Sequence, residues 1–293
     1  MACLHARTWP SSRLCTLTLA FFVSVMFPAA LLPRAGAEVL FDNGGVVTST
    51  TLGTGVTAGD PISQPEVYRT TGTGLALTTP GVSVRFFRAA EDFVLPAPAV
   101  LSSFTVMAHT TYGSSQAGTR EPVVTHASVN LWNNRPETGG SPMFPEPVTL
   151  TPLSSVFVAW RQSAVPGSTN GTRPIFAYTF SLEPLLGQTV LPAGEYWLEW
   201  QLDSTLLSPT ARLDSPLVTP RATAYNRNVR LFGVLQAGQP PVWFESWEGG
   251  DPSFPAPYAV PLTVTGTLIP EPSAVMPVAA VTAALLGRRR RQA

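Results

Sequence analysis

Proline and glycine interrupt this chain so often that no long helix fits between them. Together they make up 53 of 293 residues, 30 Pro and 23 Gly, half again the usual share of roughly 12%. Each proline removes a backbone donor and each glycine adds chain entropy, so a helix is broken before it gains length. Coiled coils, helical bundles and helical solenoids are excluded on that ground. Charged residues make up 12%, about half the share of a typical soluble domain. A chain so sparsely charged and 44% hydrophobic is not a disordered polyelectrolyte. All 18 basic residues are arginine, and 18 acids balance them. A nucleic-acid binder carries a basic excess, so no nucleic-acid partner is expected.

The two ends read as addresses. Arg7 and Arg13 precede an uncharged apolar run from Leu14 to Phe27, followed by Pro28, Pro33 and Ala35-Gly36-Ala37. A charged start, a short apolar stretch and small residues at alternate positions are the parts of a secretory signal peptide. The expected cut, by signal peptidase, follows Ala37, with Ala35 and Ala37 as its small residues and Glu38 as the new N-terminus. An uncleaved membrane anchor is the alternative. Cys3 and Cys15 both precede the cut, and Cys15 comes before most of the apolar run, where a lipoprotein cysteine would follow it. Residues 38–293 then have neither disulfide, thiolate zinc site nor cysteine nucleophile.

At the other end, Ile269-Pro270-Glu271-Pro272-Ser273 leads into Ala274 to Gly287, fourteen residues without a charge, and then Arg288, Arg289, Arg290 and Arg291. Fourteen helical residues reach about 21 Å, a short span against a hydrocarbon core of about 30 Å. Four arginines after it would stay cytoplasmic, leaving the body outside and the tail halted in the inner membrane.

In these residues the chain resembles the PEP-CTERM proteins, the exosortase substrates of Gram-negative bacteria. Pro270, Glu271 and Pro272 match the motif of that tail, and Arg288 to Arg291 match its arginine cluster. The resemblance covers about 25 residues. It implies recognition by an exosortase, transient anchoring in the inner membrane, removal of the tail, and release or attachment at the cell surface. An ordinary tail anchor is the alternative.

Between the ends, residues 38–268 hold 11 Arg and 17 acids. Their apolar residues recur at period two. Tyr196, Leu198, Trp200 and Leu202 alternate with Trp197, Glu199, Gln201 and Asp203. The sets Phe176/Tyr178/Phe180/Leu182, Ala127/Val129/Leu131, Val82/Val84/Phe86, Phe104/Val106/Ala108 and Val260/Leu262/Val264 behave likewise. Each suits a strand with one buried face. Turn signals separate them at 42–45, 95–98, 133–142, 166–171, 192–194 and 249–252. Short strands and dense turns predict an all-β domain, a β-sandwich or jelly roll of about ten strands in two sheets. Residues 48–80, rich in Thr and Gly, read as a loop. The expected division is 1–37 signal peptide, 38–268 β-domain and 269–293 sorting tail. The body also looks like exported β-domains that often precede this tail, through Leu40-Phe41-Asp42-Asn43-Gly44, Glu91-Asp92-Phe93, Leu131-Trp132-Asn133 and Gly194 to Trp200. No activity comes with that likeness.

Chemistry-bearing patterns are sparse. His109 and His126 stand in no metal-ligand spacing, and no nucleophile elbow, phosphate loop or dinucleotide fingerprint occurs. Glu195 with Glu199, and Glu245 with Glu248, are the carboxylate pairs that glycoside hydrolysis could use; solvated strand residues are the plainer reading. Asp42-Asn43-Gly44-Gly45 reads as a turn rather than a calcium loop, which repeats its carboxylates. Trp132 and Trp197 occupy faces opposite their strands' apolar sets and are the candidate sugar-stacking residues, with burial under a loop as the alternative. The expectation is a non-enzymatic surface or matrix protein without metal or cofactor. A carbohydrate-binding module for extracellular polysaccharide comes next, and a hydrolase third.

Overall fold

The computed structural model describes residues 36–46, 48–49, 60–63, 75–77, 86–111, 119–161, 173–204, 212–215, 229–233, 240–245 and 259–270. The expected signal segment through Ala35, and the tail from Glu271 onward including Pro272 and Arg288 to Arg291, lie outside them. So do Val82, Val84 and the turns at 166–171 and 249–252. Ala37 and Pro270 are described, and both are exposed.

Among the described residues, two sheets account for nearly all the regular structure. The main path of the ten-stranded sheet runs β1 (Glu38–Asp42), β16 (Leu262–Leu268), β6 (Ala99–Thr111), β10 (Arg173–Ser181), β9 (Pro152–Arg161), β3 (Ile62–Ser63) and β2 (Thr48–Ser49). β11 (Val190–Leu191) and β13 (Arg212–Ser215) also pair with β6, and β4 (Leu75–Leu77) pairs with β13. The six-stranded sheet runs β15 (Val242–Glu245), β14 (Arg230–Gly233), β5 (Phe86–Leu95), β12 (Gly194–Ser204), β7 (Val124–Trp132) and β8 (Val148–Leu150). All pairings are antiparallel except β3 with β9. The fold is all-β, as the period-two pattern predicts. The described residues contain sixteen strands rather than about ten, because pieces of two to four residues are too short to display a period. Three of them, β2, β3 and β4, fall in the stretch 48–80 that reads as a loop.

One four-residue helix, α1 (Glu183–Leu186), escapes the pattern. Pro184 presets φ at its first turn, Ser181 Oγ accepts the Glu183 N–H at 3.1 Å, and Gly187, at φ 56°, ends it. Leu185 and Leu186 are buried, so the helix plugs the core end beside β6.

Both sheets contribute to one apolar core. Phe93 of β5 lies between Tyr196 of β12, stacked at 5.7 Å, and Phe41 of β1 in the other sheet, at 6.2 Å. Phe104 and Phe180 stack at 5.1 Å. The Tyr178 hydroxyl accepts the backbone N–H of Val123 at 3.3 Å, tying β10 to the entry of β7. Burial pushes that phenol up to about 12, partly offset by the Val123 and Val124 backbone donors.

The alternation in β6 breaks at Ser102. Thr265 pairs with Ser103 but Gly266 pairs with Leu101, so Ser102 is the extra residue of a bulge. Ala99 and Leu101 before it, and Phe104, Val106 and Ala108 after it, therefore all point into the core. On its other side β6 continues its ladder with β10: the Ser102 carbonyl accepts the Leu182 N–H at 2.9 Å where the chain enters α1.

Candidate functional site

Register places the chemistry-bearing side chains on the outer face of the six-stranded sheet. Opposed residues share a face. Trp197 lies opposite Asp92 and Trp132, and Glu199 opposite Ala90 and Asn130. Phe232 of β14 lies opposite Arg88 and Trp243. The face therefore carries Arg88, Glu199, Trp132, Trp197, Arg230, Phe232 and Trp243.

Glu199 is the polar centre. One carboxylate oxygen accepts Arg88 at 2.8 Å and the other accepts the Trp132 indole N–H at 2.6 Å. Its side chain is 2% exposed and that of Arg88 is 36%. The Arg88 guanidinium lies 4.9 Å over the Phe232 ring. Trp243 joins the cluster, edge-on to Trp132 at 5.8 Å and tilted against Phe232 at 5.3 Å. Trp132 and Trp243 are half-buried.

The loop 133–142 closes over one side. Gly140 N–H bonds to the Arg135 carbonyl at 2.9 Å, and a Cβ there would sit 2.4 Å from the Asn134 oxygen, so only glycine fits. Glu137 in this loop stands 2.7 Å from both Arg135 and the fully buried Arg230, whose guanidinium lies 5.8 Å from the Trp197 ring.

These contacts correct the expectation that β12 buries one face. Trp197 has no exposed surface and Glu199 is 1% exposed, as deeply buried as the inward Leu198 and Trp200. Trp197 donates its indole N–H to Glu195 at 3.0 Å and offers no free ring face, so the burial alternative describes it. Trp132 retains partial exposure. Arg88, Phe232 and Trp243 join it without having been singled out in the sequence; an arginine at an outward position of a strand is an ordinary surface residue until its neighbours are known.

Glu195 and Glu199 do not form a catalytic dyad. Glu195 and Glu199 lie four residues apart on one strand, about 13 Å along it, beyond the roughly 5–9.5 Å that glycosidases use. Glu199 is also occupied on both oxygens. Glu245 falls at the end of β15, and Glu248 lies outside the described residues. His126 is exposed opposite Asp203; burial raises the Asp203 carboxyl and His126 pulls it back. His109 is buried where β6 meets β13. Among the described residues, no three His, Cys, Asp or Glu gather as metal ligands.

Two further carboxylates are structural. Asp60, before β3, accepts from Arg120 and from the Trp160 indole at 2.8 Å. Those bonds hold its carboxyl below the usual range, Arg120 contributing most. In the turn after β1, Asp42 accepts the Gly44 N–H at 2.8 Å, an Asx turn with Gly44 at φ 83°. The Asn43 side chain points inward to Glu91. No helix among the described residues is long and apolar enough to cross a membrane.

The arrangement suits binding more than proton transfer. It offers partly exposed indoles beside a partly exposed guanidinium, on a carboxylate already bonded at both oxygens. No protein-family model, curated protein or solved structure matches this chain.

Proposed function

We propose that this chain is an exported cell-surface or extracellular-matrix protein, cut by signal peptidase after Ala37 and sorted by an exosortase through Pro270-Glu271-Pro272 and Arg288 to Arg291. Its β-domain is a sandwich of jelly-roll type with a structural or interaction role. The observation that carries the reading is the tail: a Pro-Glu-Pro motif, an uncharged stretch and an arginine cluster in that order, behind an N-terminal signal pattern. The fold's boundaries support it. Strand β1 begins at Glu38, the first residue past the expected cut, and the last backbone hydrogen bond among the described residues is Ile269 N–H to Pro98 at 2.7 Å, one residue before Pro270. The shared core of the two sheets supports the sandwich.

Recognition of such a tail needs all three parts. The two prolines keep the motif extended, the form a protease cleft accepts, and the arginines stop the span from slipping through, since burying even one costs at least ~2.5 kcal/mol. Replacing Arg288 to Arg291 by Ser, or the motif by Ala, leaves a longer precursor in cells that contain the exosortase. Deleting the exosortase leaves the same precursor from wild-type sequence. Mass spectrometry of the exported protein finds Glu38 first. A tail that persists on mature surface protein in normal cells reduces the segment to an anchor.

A second reading, a carbohydrate-binding module for extracellular polysaccharide, is favoured by the half-exposed Trp132–Trp243 pair beside Arg88. Sugar rings stack on indoles while guanidinium donors take their hydroxyls. Calorimetric titration with the host's exopolysaccharide tests it, with Trp132→Ala and Trp243→Ala as the informative variants.

A further inference from the structure

Antiparallel pairing brings the two ends of the body to one place. Glu38, the first residue of β1, is the register partner of Gly266 near the end of β16. The β5–β6 turn joins them there, since Leu268 and Leu191 both pair with Ala99. So does the β11–β12 turn, through Gly194 opposite Leu95. Residues 38–39, 95–98, 189–195 and 268–270 thus form one rim. Its exposed residues are mostly apolar. Val39, Val190 and Ile269 are 60%, 48% and 36% exposed, three of the seven large apolar side chains on the described surface. Pro96, Pro192 and Ala193 are exposed beside them. No arginine lies in these segments, and their acids are Glu38 and Glu195.

We propose that this rim is a docking surface for the phospholipid bilayer, seated on the outer leaflet of the inner membrane while the tail is still attached. The inference rests on the tail reading above. Ile269 is held by the fold, and the uncharged stretch begins at Ala274. Four residues separate them, and the five steps of chain span at most about 18 Å when extended. A body tethered that closely presents to the lipid the end from which its tether leaves. Small, shallow, uncharged groups suit the bilayer boundary, and exposed apolar patches of this kind mark interaction sites. The rim's acids favour zwitterionic over anionic lipid. Docking would hold Pro270-Glu271-Pro272 at the level of the headgroups. The test uses the full chain with Cys3→Ser and Cys15→Ser, its only cysteines, reconstituted in phosphatidylcholine vesicles. A fluorophore is placed at Val190→Cys, Ala193→Cys, His126→Cys or Ala283→Cys, with nitroxide-bearing lipid as quencher. His126 is exposed and lies toward the far end of the sheet, about 30 Å along β12 from the rim. The 190 and 193 labels lose at least half their emission, and the 126 label is unchanged. Adding Val39→Asp to the 190 and 193 variants restores their emission while the 283 label stays quenched. Rim labels that behave like 126 beside a quenched 283 overturn the docking and leave the anchor intact. An unquenched 283 overturns both.

Discussion

Asn43 and Glu91, 48 residues apart, meet inside the core: Asn43 Nδ2 donates to one carboxyl oxygen at 3.2 Å. The backbone N–H of Val260, at the approach to the last strand, donates to the other at 3.1 Å. One buried carboxyl thereby fastens the turn after the first strand, the strand β5 and the entry to β16. Burial drives its pKa well above 4.5, the nearby charge of Asp92 adds to that, and the Val260 N–H opposes it.

The sign of the pH effect follows. The folded pKa is raised, so the proton on Glu91 stabilises the fold fully below about pH 4.5. That contribution falls as pH rises from there through the folded value. Glu91→Gln removes this decline, so wild type and variant converge in acid and the variant gains on wild type toward neutral pH. Glu91→Ala removes the acceptor of the Val260 N–H and leaves the Asn43 amide only its longer bond to the Val260 carbonyl at 3.5 Å, at a cost of about 2–3 kcal/mol. Urea unfolding between pH 4 and 8 checks both.

Trp132 and Glu199 should be energetically coupled. Trp132→Phe removes the indole donor to a buried carboxylate and costs about 1–2 kcal/mol. Glu199→Ala costs about 1–3 kcal/mol, below the value for a fully buried pair because Arg88 is one-third exposed. The double variant loses less than the sum, and additive losses in a double-mutant cycle would count against the bond.

Trp197 should behave as a core residue. Its truncation to Ala opens a cavity beneath the Arg230 guanidinium and costs about 3–5 kcal/mol, read from the denaturation midpoint. Any loss of polysaccharide binding in that variant tracks unfolding, whereas Trp132→Ala and Trp243→Ala change binding in folded protein.

Gly266 is the tightest point at the joined ends. An added Cβ would lie 2.4 Å from the Val100 oxygen and 2.7 Å from Leu40 Cδ1. Backbone must move, so Gly266→Ala costs about 2–3 kcal/mol. Thermal unfolding of the variant beside wild type measures the loss.

Legibility in the sequence followed range. Ala127, Val129 and Leu131 alternate in the sequence and are buried as a set in β7; period two needs no partner to be seen. The proline- and glycine-marked turns at 95–98 and 192–194 join strands as read. What escaped depended on residues far away. The bulge at Ser102 exists because β6 must match β16 on both sides of Gly266. Trp197 and Glu199 looked outward because alternation says only that they oppose Leu198 and Trp200. Glu137, Trp132 and Trp243 then cover that side, and no local pattern announces them.

The sequence by itself determined the all-β class. Proline and glycine density forbids long helices, and the strand period is a property of neighbours along the chain. Only the tertiary structure decided which strands share a sheet, that β1 closes against β16 so that Glu38 stands beside Gly266, and that Glu199 is bound by Arg88 and Trp132. Those arrangements are pairings between residues tens to hundreds of positions apart. Their free energies come from burial and register that exist only once both sheets have formed.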